Sequence, residues 1–350
     1  MSAKLKKKIK VLVVDDAAFM RRAITDILKA DSMIQVIGTA RNGMDGLEKI
    51  KQLHPDVVTL DIDMPVMDGL TSIRHIMIES PVPVVVLSSL FSDGAITFEA
   101  LRLGVVDFVP KPSGAISVNI EQSKHIITDR TKIAASVNIN NIRRVRLPKW
   151  DVSDQLADRY HFRELDYIIA IGTNLSGPNT IIRFLTKLSP AIPAAIVVMK
   201  EISPKIIEAF VERFDEKVPW KIKMAKEGQV LEQGVCYICS NERTLRFRRN
   251  LQGATCLKFI SPVADPLNVL FSSASNMFRQ NTIGVLLTGT GCDGADGFVN
   301  IKAASGVTVV QDAKCRVYPN LTENALDKGV VDMVVKEKDL PGIIEKLTDS

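Results

Sequence analysis

The chain has 350 residues, of which 46% are hydrophobic and 24% charged, and its formal net charge is +5 at neutral pH. That length and balance describe globular protein of about two domains rather than a disordered tail. No apolar run approaches the roughly 20 residues that a bilayer span needs, and Lys and Arg are spread along the chain without aromatic clusters, so neither membrane insertion nor nucleic-acid binding is expected.

The first element is the apolar run Ile9 to Val14, stopped by Asp15 and Asp16, which reads as a β-strand and not as a signal peptide. Further strands are expected over Ile34 to Thr39, Val57 to Leu60, Val84 to Leu87 and Val105 to Val109. Helical patterns fall between them, around Phe19 to Lys29, Met44 to Leu53, Leu70 to Glu79 and Ala95 to Leu103. Such alternation predicts a parallel sheet wrapped by helices, with ligands bound beyond the carboxyl ends of the strands. Those ends carry Asp15, Asp16, Asp61, Ser88 and Lys111. Three carboxylates brought together repel one another and call for a hard cation, for which Mg²⁺ is suited. One carboxylate can then attack phosphorus while the cation and Lys111 neutralise the equatorial oxygens.

The segments VLVVDDAAFMRR, LDIDMPVMDGL, VVLSSL and DFVPKP together resemble the receiver domain of two-component response regulators. The resemblance implies a flavodoxin-like five-stranded fold over residues 1–125, with Asp61 as the phospho-acceptor. It also implies Mg²⁺ held by Asp16, Asp61 and the backbone carbonyl of Asp63, with Asp15 close by. Ser88 would hydrogen-bond the new phosphoryl group, Phe108 would move with it, and Pro112 would be the family's cis-proline beside Lys111.

Residues 126–164 read as a linker, partly helical, with the flexible basic stretch NINNIRRVRLPKW. From Tyr167 the strand and helix alternation resumes: YIIAIG, a helix over Asn179 to Leu188, AAIVVM, and a helix over Pro204 to Phe214 opened by proline. A block with β character follows at Lys221 to Met224, Val235 to Cys239, Leu245 to Arg249 and Thr255 to Phe259. A helix near Leu267 to Met277, the strand IGVLLTG, the turn TGTGCDGADG and a last helix, strand and helix complete a second, mostly parallel α/β domain over residues 165–350. Cys236 and Cys239 form a C-x-x-C inside a strand with no second pair, and read as buried thiols rather than a metal or redox site.

This half resembles the catalytic domain of the chemotaxis protein-glutamate methylesterase (CheB) family, and the order of receiver, linker and this domain matches that family. IGTNLSG stands in place of the family's I-G-A-S-T-G-G, VVMKEISP in place of its Q-H-M-P strand end, and LLTGTGCDGADG fits its L-T-G-M-G-x-D-G turn. Family members hydrolyse a receptor methyl ester with a serine nucleophile, a histidine base and an orienting aspartate. The aligned positions here hold Asn174, Lys200 and Asp293, so only the aspartate matches. The four histidines, at 54, 75, 125 and 161, all precede the second domain. Ser176 or Ser203 with a neutral Lys200 is the conceivable substitute, and Asp293 has a structural alternative as the N-cap of the helix that begins near Gly294.

What the two resemblances imply together is a cytoplasmic phospho-aspartate response regulator, phosphorylated on Asp61 by a CheA-like histidine kinase, with a methylesterase-like domain as a non-catalytic binding or decoy module. Its partners would be chemoreceptors or another chemotaxis protein. The alternative is a phosphorylation-activated methylesterase or glutamine deamidase of chemoreceptors; a DNA-binding regulator would need a helix-turn-helix that the alternation after Tyr167 does not offer.

Overall fold

The computed structural model describes residues 8–88, 94–111, 118–142, 165–174, 177–202, 204, 206–318 and 320–349. They form two compact units, Met1–Arg144 and Val145–Ser350. None of the described helices is long and apolar enough to cross a membrane.

The first unit is a flavodoxin-like α/β fold. Its strands β1 (Ile9–Val14), β2 (Ile34–Ala40), β3 (Val57–Leu60), β4 (Val84–Ser88) and β5 (Asp107–Pro110) pair in parallel in the order β2-β1-β3-β4-β5. Helices α1 (Ala18–Lys29), α2 (Gly43–Leu53), α3 (Gly69–Glu79), α4 (Gly94–Leu103) and α5 (Val118–Ala135) connect and follow them. Every residue of β3 and β4 is buried, which explains why those segments read as unbroken apolar runs rather than alternating ones. Leu12, Val14, Val58, Leu60, Val84 and Val86 meet Ile73 and Ile76 of α3 in one core. Asp68 and Asn42 cap α3 and α2 by accepting the Thr71 and Asp45 amides, so those helices start on side-chain signals. Chain order reverses between β1 and β3, and that crevice is where an open parallel sheet presents its ligand site. Helix α5 continues to Ala135, ten residues beyond the edge set for this domain from sequence.

The second unit is α/β as well, with an all-parallel sheet of seven strands ordered β14-β13-β12-β6-β7-β9-β8. The strands are β6 (Tyr167–Thr173), β7 (Ala194–Lys200), β8 (Lys221–Met224), β9 (Val235–Ser240), β12 (Thr282–Leu286), β13 (Val307–Gln311) and β14 (Met333–Val335). An antiparallel hairpin, β10 (Thr244–Arg249) with β11 (Thr255–Ile260), stands apart from that sheet. The helices are α6 (Gly177–Leu185), α7 (Ile207–Asp215), α8 (Pro266–Phe278), α9 (Ala295–Ala303), α10 (Asn320–Asp327) and α11 (Leu340–Thr348). Order reverses here between β6 and β12.

Two sequence expectations differ from the structure in this unit. Helix α7 begins at Ile207, and Pro204 lies in the turn before it rather than in the first helical turn. After α9 the chain forms two helices and two strands, because short α10 and the three-residue edge strand β14 carry too little periodicity to be read. Cys236 and Cys239 are buried, and burial pushes the Cys239 thiol up to about 12 and that of Cys236 higher still. Being three apart on β9, they point to opposite faces of the sheet and do not converge on one ion.

Candidate functional site

At the β1/β3 switch point of the first unit, backbone geometry brings three carboxylates and one ammonium together. Asp15 and Asp61 are buried, Asp16 is exposed, and one carboxylate oxygen from each lies within 4.8 Å of the others. Lys111, following β5, places its Nζ 2.7 Å from Asp15 Oδ2 and 2.7 Å from Asp61 Oδ2. Asp15 Oδ1 accepts the Ala17 amide at 2.9 Å, and Asp61 Oδ1 accepts the Ile62 amide at 2.8 Å. Arg21, one turn into α1, donates to the carbonyls of Asp15 (2.7 Å) and Asp16 (2.8 Å) and so fixes the backbone that carries both carboxylates. The sequence reading missed Arg21; five or six residues of spacing from an acidic pair is too common to single out an arginine.

Burial pushes the Asp61 carboxyl above its ordinary value, the charge of Asp15 adds to that, and the Lys111 bond opposes it. Burial pulls Lys111 down, but its bonds to Asp15 and Asp61 outweigh burial and leave it raised and charged. Asp15 Oδ2 is buried with the Lys111 ammonium 2.7 Å away, and a carboxylate oxygen so placed can still accept from a cation on its other side. Hard carboxylate oxygens gathered this closely fit a divalent cation such as Mg²⁺. Asp15, Asp16 and Asp61 are the side chains that would hold it, with the exposed Asp63 two residues beyond Asp61 in the same loop.

The loop after Asp61 is tightly drawn in. The Met67 amide donates to the Pro65 carbonyl at 2.8 Å, which closes a γ-turn around Val66 at φ 71°, a conformation that costs a β-branched residue strain. The Gly69 amide donates to the Ile62 carbonyl at 2.8 Å, and a Cβ on Gly69 would lie 2.4 Å from the Asp61 carbonyl oxygen, so only glycine lets α3 start this close to the site. Ser88 is buried at the end of β4 and its carbonyl accepts the Lys111 amide at 3.1 Å; Phe108 is half-buried against the core. Pro112 lies outside the described residues.

In the second unit, the three positions singled out from sequence lie at or beyond strand ends, and each has definite partners. Thr173 of β6 is in register with Lys200 of β7, so Asn174 leaves the sheet beside the lysine. The Asn174 amide clasps the backbone of one residue on both sides: its Oδ1 accepts the Thr290 amide at 2.8 Å and its Nδ2 donates to the Thr290 carbonyl at 2.7 Å. A Cβ on Gly289 would fall 2.3 Å from Asn174 Oδ1, so that glycine is what admits the clasp. Below it, Thr173 Oγ1 donates to the Thr288 carbonyl at 2.8 Å, and Gln311 Oε1 accepts the Thr288 amide at 2.9 Å. Thr288 Oγ1 accepts the amides of Tyr318 (2.7 Å) and Val317 (3.1 Å). A polar network knits the crevice at this switch point, and no local pattern in the residues announces it.

Lys200 is 4% exposed, donates to the Glu201 carbonyl at 3.0 Å and stands 5.4 Å from the centroid of the Phe210 ring. Asp293 accepts the Leu267 amide on Oδ2 (2.8 Å) and the Asn268 amide on Oδ1 (3.0 Å), which makes it a cap for α8. Asn268 answers: its Oδ1 accepts the amides of Gly294 (3.0 Å) and Gly297 (2.8 Å) at the start of α9. Each helix is therefore capped from the other one's N-terminal segment, whereas the sequence assigned Asp293 to the helix that follows it. Burial pushes the Asp293 carboxyl up, against the three amides that stabilise its charge. Ser176, Ser203 and Pro319 lie outside the described residues.

Comparison with known proteins agrees with both halves. The family described as CheB methylesterase matches residues 169–344, and the response regulator receiver domain family matches residues 11–119. A protein-glutamate methylesterase/protein-glutamine glutaminase of Pyrococcus horikoshii is 35% identical over 353 residues, covering 98% of this chain and 94% of that protein. One of the same name from Caldanaerobacter subterraneus subsp. tengcongensis is 35% identical over 356 residues, covering 98% and 97%. Among solved structures, the CheB methylesterase catalytic domain of Thermotoga maritima aligns with TM-score 0.49 and 23% identity over 52% of this chain and 98% of that one. The chain belongs to the CheB family, with a response-regulator receiver domain followed by a CheB methylesterase domain.

Proposed function

We propose that this chain is a cytoplasmic response regulator that takes a phosphoryl group on Asp61 from a CheA-like histidine kinase, and that its CheB domain serves as a non-catalytic binding or decoy module. The observation that carries the first part is the buried Asp61 carboxylate, held by the Ile62 amide on one oxygen and by Lys111 on the other. An Asp61 oxygen attacks the phosphorus of the phosphohistidine; the P–N bond breaks, its electron pair leaves with the imidazole, and an acyl phosphate forms. Lys111, 2.7 Å from Asp61 Oδ2, neutralises the charge gathering on the equatorial oxygens, and Ser88 donates its hydroxyl to one of them. Mg²⁺, when bound by Asp15, Asp16, Asp61 and the Asp63 carbonyl, supplies further positive charge to the phosphoryl oxygens. Phe108, half-buried beside Asp107, is the side chain assigned to follow Ser88 inward.

For the second domain the reading rests on residue chemistry. An asparagine cannot form an acyl-enzyme, and the Asn174 amide has both of its polar atoms committed to Thr290. No histidine follows residue 161 to act as base, and Asp293 is explained by its two capping bonds. Loss of the serine or histidine alone costs on the order of 10⁶ in turnover in the subtilisin example. The natural partners of such a module are chemoreceptors or another chemotaxis protein. The connection between the domains is assigned to the basic stretch after α5, within residues 126–164. The curated relatives' name favours a second reading, a methylesterase or glutaminase with a rebuilt site, for which Ser176 would have to act as nucleophile with a neutral Lys200 as base.

Phosphorylation is tested by incubating the full chain with acetyl phosphate, with and without Mg²⁺, and resolving the product on a phosphate-retarding gel. A retarded species that needs Mg²⁺ and is absent from Asp61→Asn supports the assignment. Retardation that persists in Asp61→Asn overturns it.

A further inference from the structure

We propose that the β10–β11 hairpin is an attachment point for anionic lipid surfaces. Along β10 the burial alternates: Leu245 and Phe247 are buried, whereas Arg246 and Arg248 are exposed, as is Arg249 at the strand end. Arg246 is paired directly with Lys258 of β11, so like charges sit opposite each other across the ladder, which a hairpin tolerates at a cost. Among the described residues none of Arg246, Arg248, Arg249 and Lys258 has a carboxylate within 4.0 Å, in a chain whose other surface lysines and arginines often do. Arg243, at the start of the same hairpin, stacks over Phe259.

The tip supplies the second, independent feature. The turn Asn250–Ala254 is built by the Asn250 side chain, which accepts the amides of Gln252 and Ala254 at 3.0 Å each. Gly253 at φ 83° completes it. That ordered turn holds Leu251 at 108% relative exposure, the most exposed large hydrophobic among the described residues. A leucine presented outward on a fixed turn, with cations on the strand behind it, has the composition of an interfacial anchor: apolar area for the acyl boundary and charge for the headgroups. A nucleic-acid surface would be met better by exposed aromatic residues, and the hairpin's rings, Phe247 and Phe259, are buried or stacked beneath Arg243.

The test is flotation of the full-length protein with vesicles of phosphatidylcholine alone or with a third phosphatidylglycerol, at low salt and at about 0.5 M salt, where screening shortens to a few ångströms. Binding to the anionic vesicles only, abolished by salt and weakened about tenfold by either Leu251→Ser or the pair Arg246→Gln and Arg248→Gln, supports the proposal. Heparin competition is run in parallel. No binding to anionic vesicles overturns it. So does binding that Leu251→Ser leaves unchanged while heparin competes fully, since that marks a general polyanion or acidic-protein site. Circular dichroism melts of each variant, and their phosphorylation by acetyl phosphate, show that the fold is retained.

Discussion

Asp61 sits in surroundings that disfavour its charge. Its folded carboxyl binds a proton more readily than the unfolded one, because burial and Asp15 outweigh Lys111. The raised value means that the Asp61 contribution is most favourable below its unfolded pKa and is lost as pH rises through the folded pKa. In metal-free buffer, Asp61→Asn is therefore predicted to be more stable than the parent at neutral pH, with a gap in urea midpoint that closes towards pH 4. A gap that grows on acidification would contradict this. Val66 makes a second residue-level case. Its φ of 71° is tolerated because the γ-turn carries the chain from the Asp61 loop to the Asp68 cap of α3. Val66→Gly removes that strain but loosens the unfolded chain, for a net gain of about 1 kcal/mol in urea denaturation of the protein. That Asp15, Asp16, Asp61 and Lys111 lie together was legible from sequence because each comes just after an apolar strand, and strand ends converge in a parallel sheet. Arg21 and Val66 were not, since neither a helical arginine nor a loop valine announces the backbone it serves.

At the level of elements, the paired caps between α8 and α9 lock the glycine-rich turn from two sides. Removing the Asp293 carboxylate leaves the Leu267 and Asn268 amides without their acceptor. Asp293→Ala is predicted to cost about 1–2 kcal/mol, with Asp293→Asn costing less because it keeps one acceptor oxygen. Chemical denaturation monitored by the far-ultraviolet signal measures both. Equal stability of all three proteins would show that the caps are replaceable by water and reopen a non-structural role for Asp293. The expected helix at Gly294 and the strand IGVLLTG were readable from periodicity, and β1 and β8 begin and end where the residues place them. The exchange of caps was not, because Asp293 and Asn268 are 25 residues apart and their meeting depends on how α8 and α9 pack. The Asn174 clasp spans 116 residues and was hidden for the same reason.

Over the molecule as a whole, each of the two α/β units has a reversal of strand order in a parallel sheet, where such folds present a crevice. In the first unit that crevice gathers charge: three acids and a lysine. In the second, Asn174, Thr288, Thr290 and Gln311 are hydrogen-bonded to one another and to the Tyr318 amide. The proposed function joins a receiver that takes a phosphoryl group on Asp61 to an output domain that does not hydrolyse the ester. Release of methanol from methylated chemoreceptor membranes, measured while Asp61 is shown to be phosphorylated and alongside an active CheB enzyme, tests it most directly. The account predicts release no greater than background. Release that depends on phosphorylation and disappears in Ser176→Ala or Lys200→Ala would contradict it and establish a rebuilt hydrolase.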